Sequence, residues 1–285
     1  MKQLTVVSGK GGTGKTSVLG AFGVLARDKV LVDCDVDAAN LRLLFSGKIR
    51  ISQDFMGGQE AHIDPVLCRR CGRCEEVCQF EAISDFTVDP VECEGCGLCA
   101  RICPADAIDL KVTRVGRWFI SDTPHGPLVH ARLDPGEENS GKLVSVVREK
   151  AQDVAAEQGY SLILIDGSPG IGCPVIASLS GVDLALVVTE PTVSGVRDME
   201  RILNVCTHFG VPAAVCVNKA DLNPQKSAAI AATCERKGHE LVGSIPFDPA
   251  FVHAQVAGQS IVEYTDGGPA QLVETIWERV ARRLQ

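Results

Sequence analysis

The chain has 285 residues, enough for one large α/β domain or for one such domain carrying a small insert. It is 45% hydrophobic and 22% charged, and a net charge of -8 argues against non-specific binding to nucleic acid or to an acidic membrane. No run reaches the roughly 18 apolar residues of a spanning helix, and Met1-Lys2 leads into a strand with no signal-peptide pattern, so a cytoplasmic protein is expected.

Periodicity predicts a strand over 3–8 and a helix over 15–27, joined by Gly9-Lys10-Gly11-Gly12-Thr13-Gly14-Lys15-Thr16. Strand, glycine loop and helix is the context that makes this G-x-x-x-x-G-K-[ST] match a phosphate site rather than a ligand-free turn. Glycines let the backbone wrap a polyphosphate with several N–H groups pointing inward. The helix N-terminus, from Ser17 on, adds unpaired N–H groups and partial positive charge. Lys15 is expected at the β- and γ-phosphates and the Thr16 hydroxyl on Mg²⁺. A second strand over 30–32 ends in Asp33-Cys34-Asp35-Val36-Asp37. Like charges at that spacing repel, so a nearby cation or a phosphate-bound water network is expected. Helix caps before Ala38-Ala39-Asn40-Leu41 are the other reading.

From about 58 to 111 the character changes to cysteines, charges and short spacings, which marks an inserted domain between an ATPase part at 1–57 and a second at 112–285. Eight of the 13 cysteines lie there. With an ATP site and no export signal, clustered cysteines bind metal more often than they pair as disulfides. Cys68-x2-Cys71-x2-Cys74-x3-Cys78 is followed by Cys93-x2-Cys96-x2-Cys99-x3-Cys103-Pro104, the spacing of a bacterial ferredoxin with two [4Fe–4S] clusters. The fourth thiolate of each run ligates the other cluster. Cys68, Cys71, Cys74 and Cys103 are therefore expected on one, and Cys78, Cys93, Cys96 and Cys99 on the other. The usual proline is Gln79 in the first run, and its amide is a source of difference between the clusters. Zinc sites are the alternative, although zinc favours two C-x2-C pairs per ion. An insert this small needs its clusters for stability.

Arg117-Trp118-Phe119-Ile120 and Leu128-Val129-His130-Ala131 are candidate short strands within 112–139. Beyond them, helices are expected at 140–158, 172–180, 194–209, 225–237, 249–257 and 268–284, with strands at 161–166, 183–189, 213–218 and 241–245. This alternation implies an α/β fold, a mainly parallel P-loop sheet with helices on both faces, plus the small ferredoxin-type insert. Functional loops then sit at the carboxyl ends of the strands. Asp166 ends an apolar strand where a Walker-B carboxylate supports Mg²⁺, or it is an ordinary strand-ending Asp. Asp166-Gly167-Ser168-Pro169-Gly170-Ile171-Gly172 has the glycines of a switch loop. Asn218-Lys219-Ala220-Asp221 has the guanine-reading pattern of GTPases, which leaves the base open.

Lys10 beside Lys15 makes the loop resemble the deviant Walker-A ATPases: MinD, ParA, Mrp and the nitrogenase iron protein. More closely, the whole chain resembles MinD-superfamily ATPases with an inserted ferredoxin domain. The resemblance implies nucleotide-driven dimerisation, as a homodimer or with a similar ATPase, and slow ATP hydrolysis without a partner. It implies that Lys10 reaches a partner's phosphates, that Asp35 activates the attacking water, and that Asn40 positions it. It places adenine against Asn218, Pro246 and Phe247, favouring ATP despite Asp221. Cys173 does not match a ligand of the iron protein and reads as a small buried residue, as do Cys34, Cys206, Cys216 and Cys234. The stripe Val273, Ile276, Trp277, Val280 and Leu284 falls where MinD carries a membrane-targeting helix. It reads as core packing, so no membrane partner is expected. Three functions fit these parts. The first is ATP-gated electron transfer from the clusters to a redox partner. The second is assembly or carriage of an iron–sulfur or metal cofactor for an accepting protein. The third is a MinD/ParA-like positioning switch with redox-sensing clusters.

Overall fold

The computed structural model describes residues 1–137 and 141–285, so position 140 of the expected 140–158 helix lies outside the described residues. The chain forms two compact units. One comprises Met1–Gln53, Trp118–Arg132 and the chain from 141 on; the other comprises Asp54–Arg117 with 133–137.

The first unit opens with β1 (Lys2–Ser8), α1 (Lys15–Leu25), β2 (Lys29–Asp33) and α2 (Leu41–Leu44). The chain then runs out along β3 (Lys48–Ile63) into the second unit, which holds α3 (Arg73–Val77), β4 (Ile83–Ser84), β5 (Thr87–Val88) and α4 (Leu98–Ile102). It returns along β6 (Ile108–Thr123) and β7 (Gly126–Leu133). The alternation follows as α5 (Lys142–Gln158), β8 (Leu162–Pro169), α6 (Cys173–Leu179), β9 (Leu184–Thr189), α7 (Val193–His208), β10 (Ala213–Asn218), α8 (Pro224–Lys237) and β11 (Glu240–Ile245). It ends with α9 (Ala250–Val256), α10 (Ile261–Tyr264) and α11 (Gly268–Leu284).

The sheet order is β11-β10-β9-β1-β8-β2-β7-β6-β3. β1 pairs in parallel with β8 and β9, β2 with β8 and β7, and β10 with β9 and β11. Successive side chains of a strand point to opposite faces. In β1, Leu4 and Val6 enter the core shared with α1 and α11, while the Thr5 hydroxyl turns the other way and donates to the Ser178 carbonyl of α6. The α11 stripe is core, as the sequence suggests: Val273, Ile276, Val280 and Leu284 are buried and Trp277 packs on Phe22. Each such burial is worth about 1.5–3 kcal/mol.

Three expectations change. The candidate strands at 117–120 and 128–131 are parts of the longer β6 and β7, and β3 was not anticipated. Much of β3 is exposed, so it lacks the period-2 apolar pattern that marks a half-buried strand. Cys173 is exposed rather than buried, whereas Cys34, Cys206, Cys216 and Cys234 are buried.

The second unit is an internal repeat that extends beyond the cysteine runs. α3 follows Gly72 and ends at Cys78, as α4 follows Gly97 and ends at Cys103, both glycines having positive φ. Asp64 and Asp89 occupy equivalent places: the Cys68 N–H donates to the Asp64 carbonyl, and the Cys93 N–H to that of Asp89. The halves also exchange equivalent bonds, Asp64 N–H to Ala107 at 2.8 Å and Asp89 N–H to Ala82 at 2.7 Å. The buried core is Ala61, Cys74, Ile83, Cys99 and Ile108.

Candidate functional site

β1 delivers the glycine loop at its carboxyl end. Gly14 has φ 92, and a Cβ there would lie 2.2 Å from Asn218 Nδ2, so both backbone and space demand glycine. Asn218 Nδ2 donates to the Thr13 carbonyl at 2.8 Å, tying the loop to the end of β10. No side chain caps α1 and its first turn carries no acid, which suits an incoming anion. Thr13 Oγ1 is buried with no hydrogen-bond partner, a hydroxyl donor matched to a phosphate oxygen.

Beneath the loop lies a charge cluster. Lys15 Nζ is 2.7 Å from Asp166 Oδ1 and 3.4 Å from Asp35 Oδ2. The Thr16 hydroxyl donates to Asp166 Oδ2 at 2.6 Å. Asp166 and Asp33 are neighbours across β8 and β2, and Asp33 accepts the N–H groups of Asp35 and Leu41. Both readings of the acidic triplet therefore hold: Asp33 caps the α2 entry, and Asp35 faces a cation. Burial disfavours the Lys15 charge, but Asp166 and Asp35 outweigh it and raise its pKa. Burial, reinforced by Asp166, pushes Asp33 up to about 8. Burial also raises Asp35, against the pull of Lys15.

Of these groups Lys15, Thr16 and Asp35 line a cavity of about 670 Å³, within the range of small-molecule sites, whereas Asp33 and Asp166 are buried outside its lining. Gly11, Gly12, Thr13, Gly14, Lys15, Thr16 and Ser17 of the glycine loop and the start of α1 line it, as do Asp35 and Asn40. Pro246, Phe247 and Phe251 also line it, as does Asn218 beside the loop. Gly9 and Lys10 are not in the lining. Gly9 packs against Asp198 of α7, and Lys10 pairs with Glu190. Glu190 also accepts from Lys219 Nζ at 3.1 Å, and that amine donates to the Gly12 carbonyl at 3.0 Å. Burial opposes the Glu190 charge, but Lys10 and Lys219 prevail and lower its pKa. Glu190 was missed in the sequence because a lone acid after a strand carries no motif. Its place beside the loop follows from β9 pairing with β1, an adjacency that no local pattern announces.

The thirteen cysteines are free thiols. In the second unit Cys68, Cys71, Cys74 and Cys103 line one cavity, and Cys78, Cys93, Cys96 and Cys99 line another. Among the described residues no three His, Cys, Asp or Glu side chains converge as they would on one metal ion. Arg70 N–H donates to Cys68 Sγ and Ala107 N–H to Cys103 Sγ, each at 3.4 Å. No helix among the described residues is long and apolar enough to cross a membrane.

A family model described as the CobQ/CobB/MinD/ParA nucleotide binding domain matches residues 4–261. An uncharacterized protein of Methanocaldococcus jannaschii is 38% identical over 224 residues, 78% of this chain and 79% of its own. A homologue of the cytosolic Fe-S cluster assembly factor Nubp1 from Drosophila willistoni is 27% identical over 120 residues, 35% of this chain and 39% of that one. The solved septum site-determining protein MinD of Pyrococcus horikoshii, complexed with Mg-ADP, superposes with a TM-score of 0.60 at 19% identity, covering 98% of this chain and 95% of that one. At that identity the likeness speaks to the fold.

Proposed function

The chain belongs to the CobQ/CobB/MinD/ParA nucleotide-binding family, and from that premise we propose that it is an ATPase whose nucleotide-driven dimerisation is coupled to two [4Fe–4S] clusters and gates electron transfer to a partner. The observation that carries the reading is the pair of cysteine-lined cavities, each holding the four thiols that the crossed ferredoxin ligation requires, in a chain that also has the glycine-loop site. A cluster spreads its four thiolates around a cube rather than around one ion, so single-ion geometry is not its requirement. The domain division of 1–57, 58–111 and 112–285 belongs to this proposal, with the compact second unit supporting an insert.

In this reading the glycine loop and Lys15 hold the polyphosphate. The Thr16 hydroxyl and Asp166 are the groups that would hold Mg²⁺, which neutralises phosphate charge when bound. Asp35 and Asn40, both in the cavity lining, would orient the attacking water. Lys10 rests on Glu190 within its own chain and would have to leave it to reach a partner's phosphates.

Asn218, Pro246 and Phe247 would hold the base. Asp221 accepts the Phe247 N–H at 2.6 Å, so its carboxylate braces this wall of the site. Asp221→Ala is therefore expected to weaken ADP and GDP binding alike, by about fivefold for a hydrogen bond of ~1 kcal/mol. Titration with fluorescent ADP and GDP checks this. Selective loss of GDP binding would instead make Asp221 a guanine reader.

The gating reading is tested by the reduction potential of each cluster, with ADP and with a non-hydrolysable ATP analogue. A nucleotide-dependent shift of about 60 mV, a tenfold change in a one-electron equilibrium, is expected. Intact clusters with no shift would sink gating. The partial similarity to a cluster-assembly factor favours a second reading, in which ATP loads or releases a cofactor. In that case iron leaves for an acceptor protein during turnover.

A further inference from the structure

The repeat in the second unit lets its two cysteine sites be compared position by position. The site of Cys68, Cys71, Cys74 and Cys103 has Arg69 and Arg73 in its lining. Their counterparts at the site of Cys78, Cys93, Cys96 and Cys99 are Glu94 and Leu98, both in that lining. The arginine site gains a further cation from Arg70, whose guanidinium lies 5.4 Å from the ring centre of Phe86, itself part of the same lining. Glu75 follows Cys74 and works against the arginines, but its carboxylate is turned to the Phe86 N–H at 2.8 Å. The backbone donors near the central cysteines match, Glu75 N–H for Cys74 and Ala100 N–H for Cys99. The N–H groups of Arg70 and Ala107, by contrast, both donate to sulfurs of the arginine site.

A cluster gains one negative charge on reduction, so nearby cations and hydrogen bonds to sulfur favour its reduced form, and carboxylates oppose it. We infer that the two sites are built as an ordered pair, the arginine-lined site being the electron sink and the Glu94 site the electron relay that feeds it. This rests on the cluster reading above. The step is a one-electron transfer: the relay is oxidised by one electron, the sink is reduced by one, and no bond is made or broken. An external one-electron reductant supplies the electron.

The full chain, reconstituted anaerobically with iron and sulfide, is titrated with dithionite and followed by EPR. Two transitions are expected, with the electron partitioned at least tenfold toward the sink, about 59 mV for a one-electron couple. Arg69 and Arg73 are exposed, so the double variant Arg69→Gln, Arg73→Leu keeps the core intact. It should lower the higher potential and leave the lower one in place. Glu94→Arg should raise the lower potential only. Coincident wild-type transitions, or an arginine variant that moves the lower potential or neither, would overturn the ordering. Failure to assemble any cluster would overturn the cluster reading with it. Two ordered potentials that ignore nucleotide would support the ordering while counting against gating.

Discussion

Replacing Lys15 with Met is expected to abolish ATP hydrolysis and, at neutral pH without nucleotide, to cost about 3–5 kcal/mol of stability. The amine is almost fully buried and is the cation shared by Asp166 and Asp35. Methionine fills similar volume but leaves buried carboxylates with no counter-charge, and removing one partner of a buried pair is far costlier than removing both. The pH dependence separates this cause from lost packing. In the wild-type chain Asp33, pushed to about 8, keeps a proton that the unfolded chain has released above its ordinary 3.8. Stability from this group therefore falls as pH rises from about 4 to about 8. Lys15 acts the opposite way: its raised pKa contributes stability that is complete below the ordinary 10.5 and is lost only as pH rises through the higher folded value. Without Lys15, the influence lowering the Asp33 and Asp35 pKa values is gone, so their protons are held to still higher pH. The stability gap between wild type and Lys15→Met should therefore widen from pH 6 to pH 8. Urea unfolding at both pH values checks it. A gap that stays constant would mean that packing, not charge, carries the cost.

The glycine-loop end of this site was legible because its geometry is local. Gly14, Lys15 and Thr16 are fixed by a strand, a positive-φ glycine and a helix start that follow one another in the chain. Asp166 was legible because a parallel sheet delivers strand ends to one edge. Glu190 and the bracing bond from Asp221 to Phe247 were not, because each depends on which strands become neighbours. The short α10 carried a readable signal that was passed over: Ser260 and Glu263 have the spacing of a capping box, and its Glu half is formed, with Ser260 N–H donating to Glu263 Oε2 at 3.0 Å. Cys173 was misplaced for a different reason. It starts α6 directly before Pro174, and a first-turn position is often solvent-facing whatever its side chain. In the second unit the cysteine spacing was plain, yet the wider repeat was not, because Asp64 with Asp89 and Ala82 with Ala107 are too ordinary to stand out until their hydrogen bonds are seen.

In the cluster reading, stripping iron from the second unit is expected to unfold it while the nucleotide-binding unit stays folded. The buried core there is Ala61, Ile83 and Ile108 with the two cysteines Cys74 and Cys99. A core in a segment this short supplies at most about 3–5 kcal/mol, against about 1.5 kcal/mol of conformational entropy for each residue ordered. β4 and β5 are two residues each and α3 and α4 five each, below the length at which a helix or hairpin holds itself. In that reading ligation is the remaining source of stability, because binding to a site that exists only in the folded state is folding free energy. Hydrogen exchange on the full chain, with and without iron, should therefore show protection lost across the stretch from Asp64 to Ile108 and kept in β1, β8 and β9. Cys74→Val separates ligation from packing. Valine keeps the apolar contact at this buried position but cannot bind iron, so it should mimic iron removal. If Cys74→Val left the protection intact, the apolar core would be enough to hold the unit, and the thiols would be answering to some need other than stability.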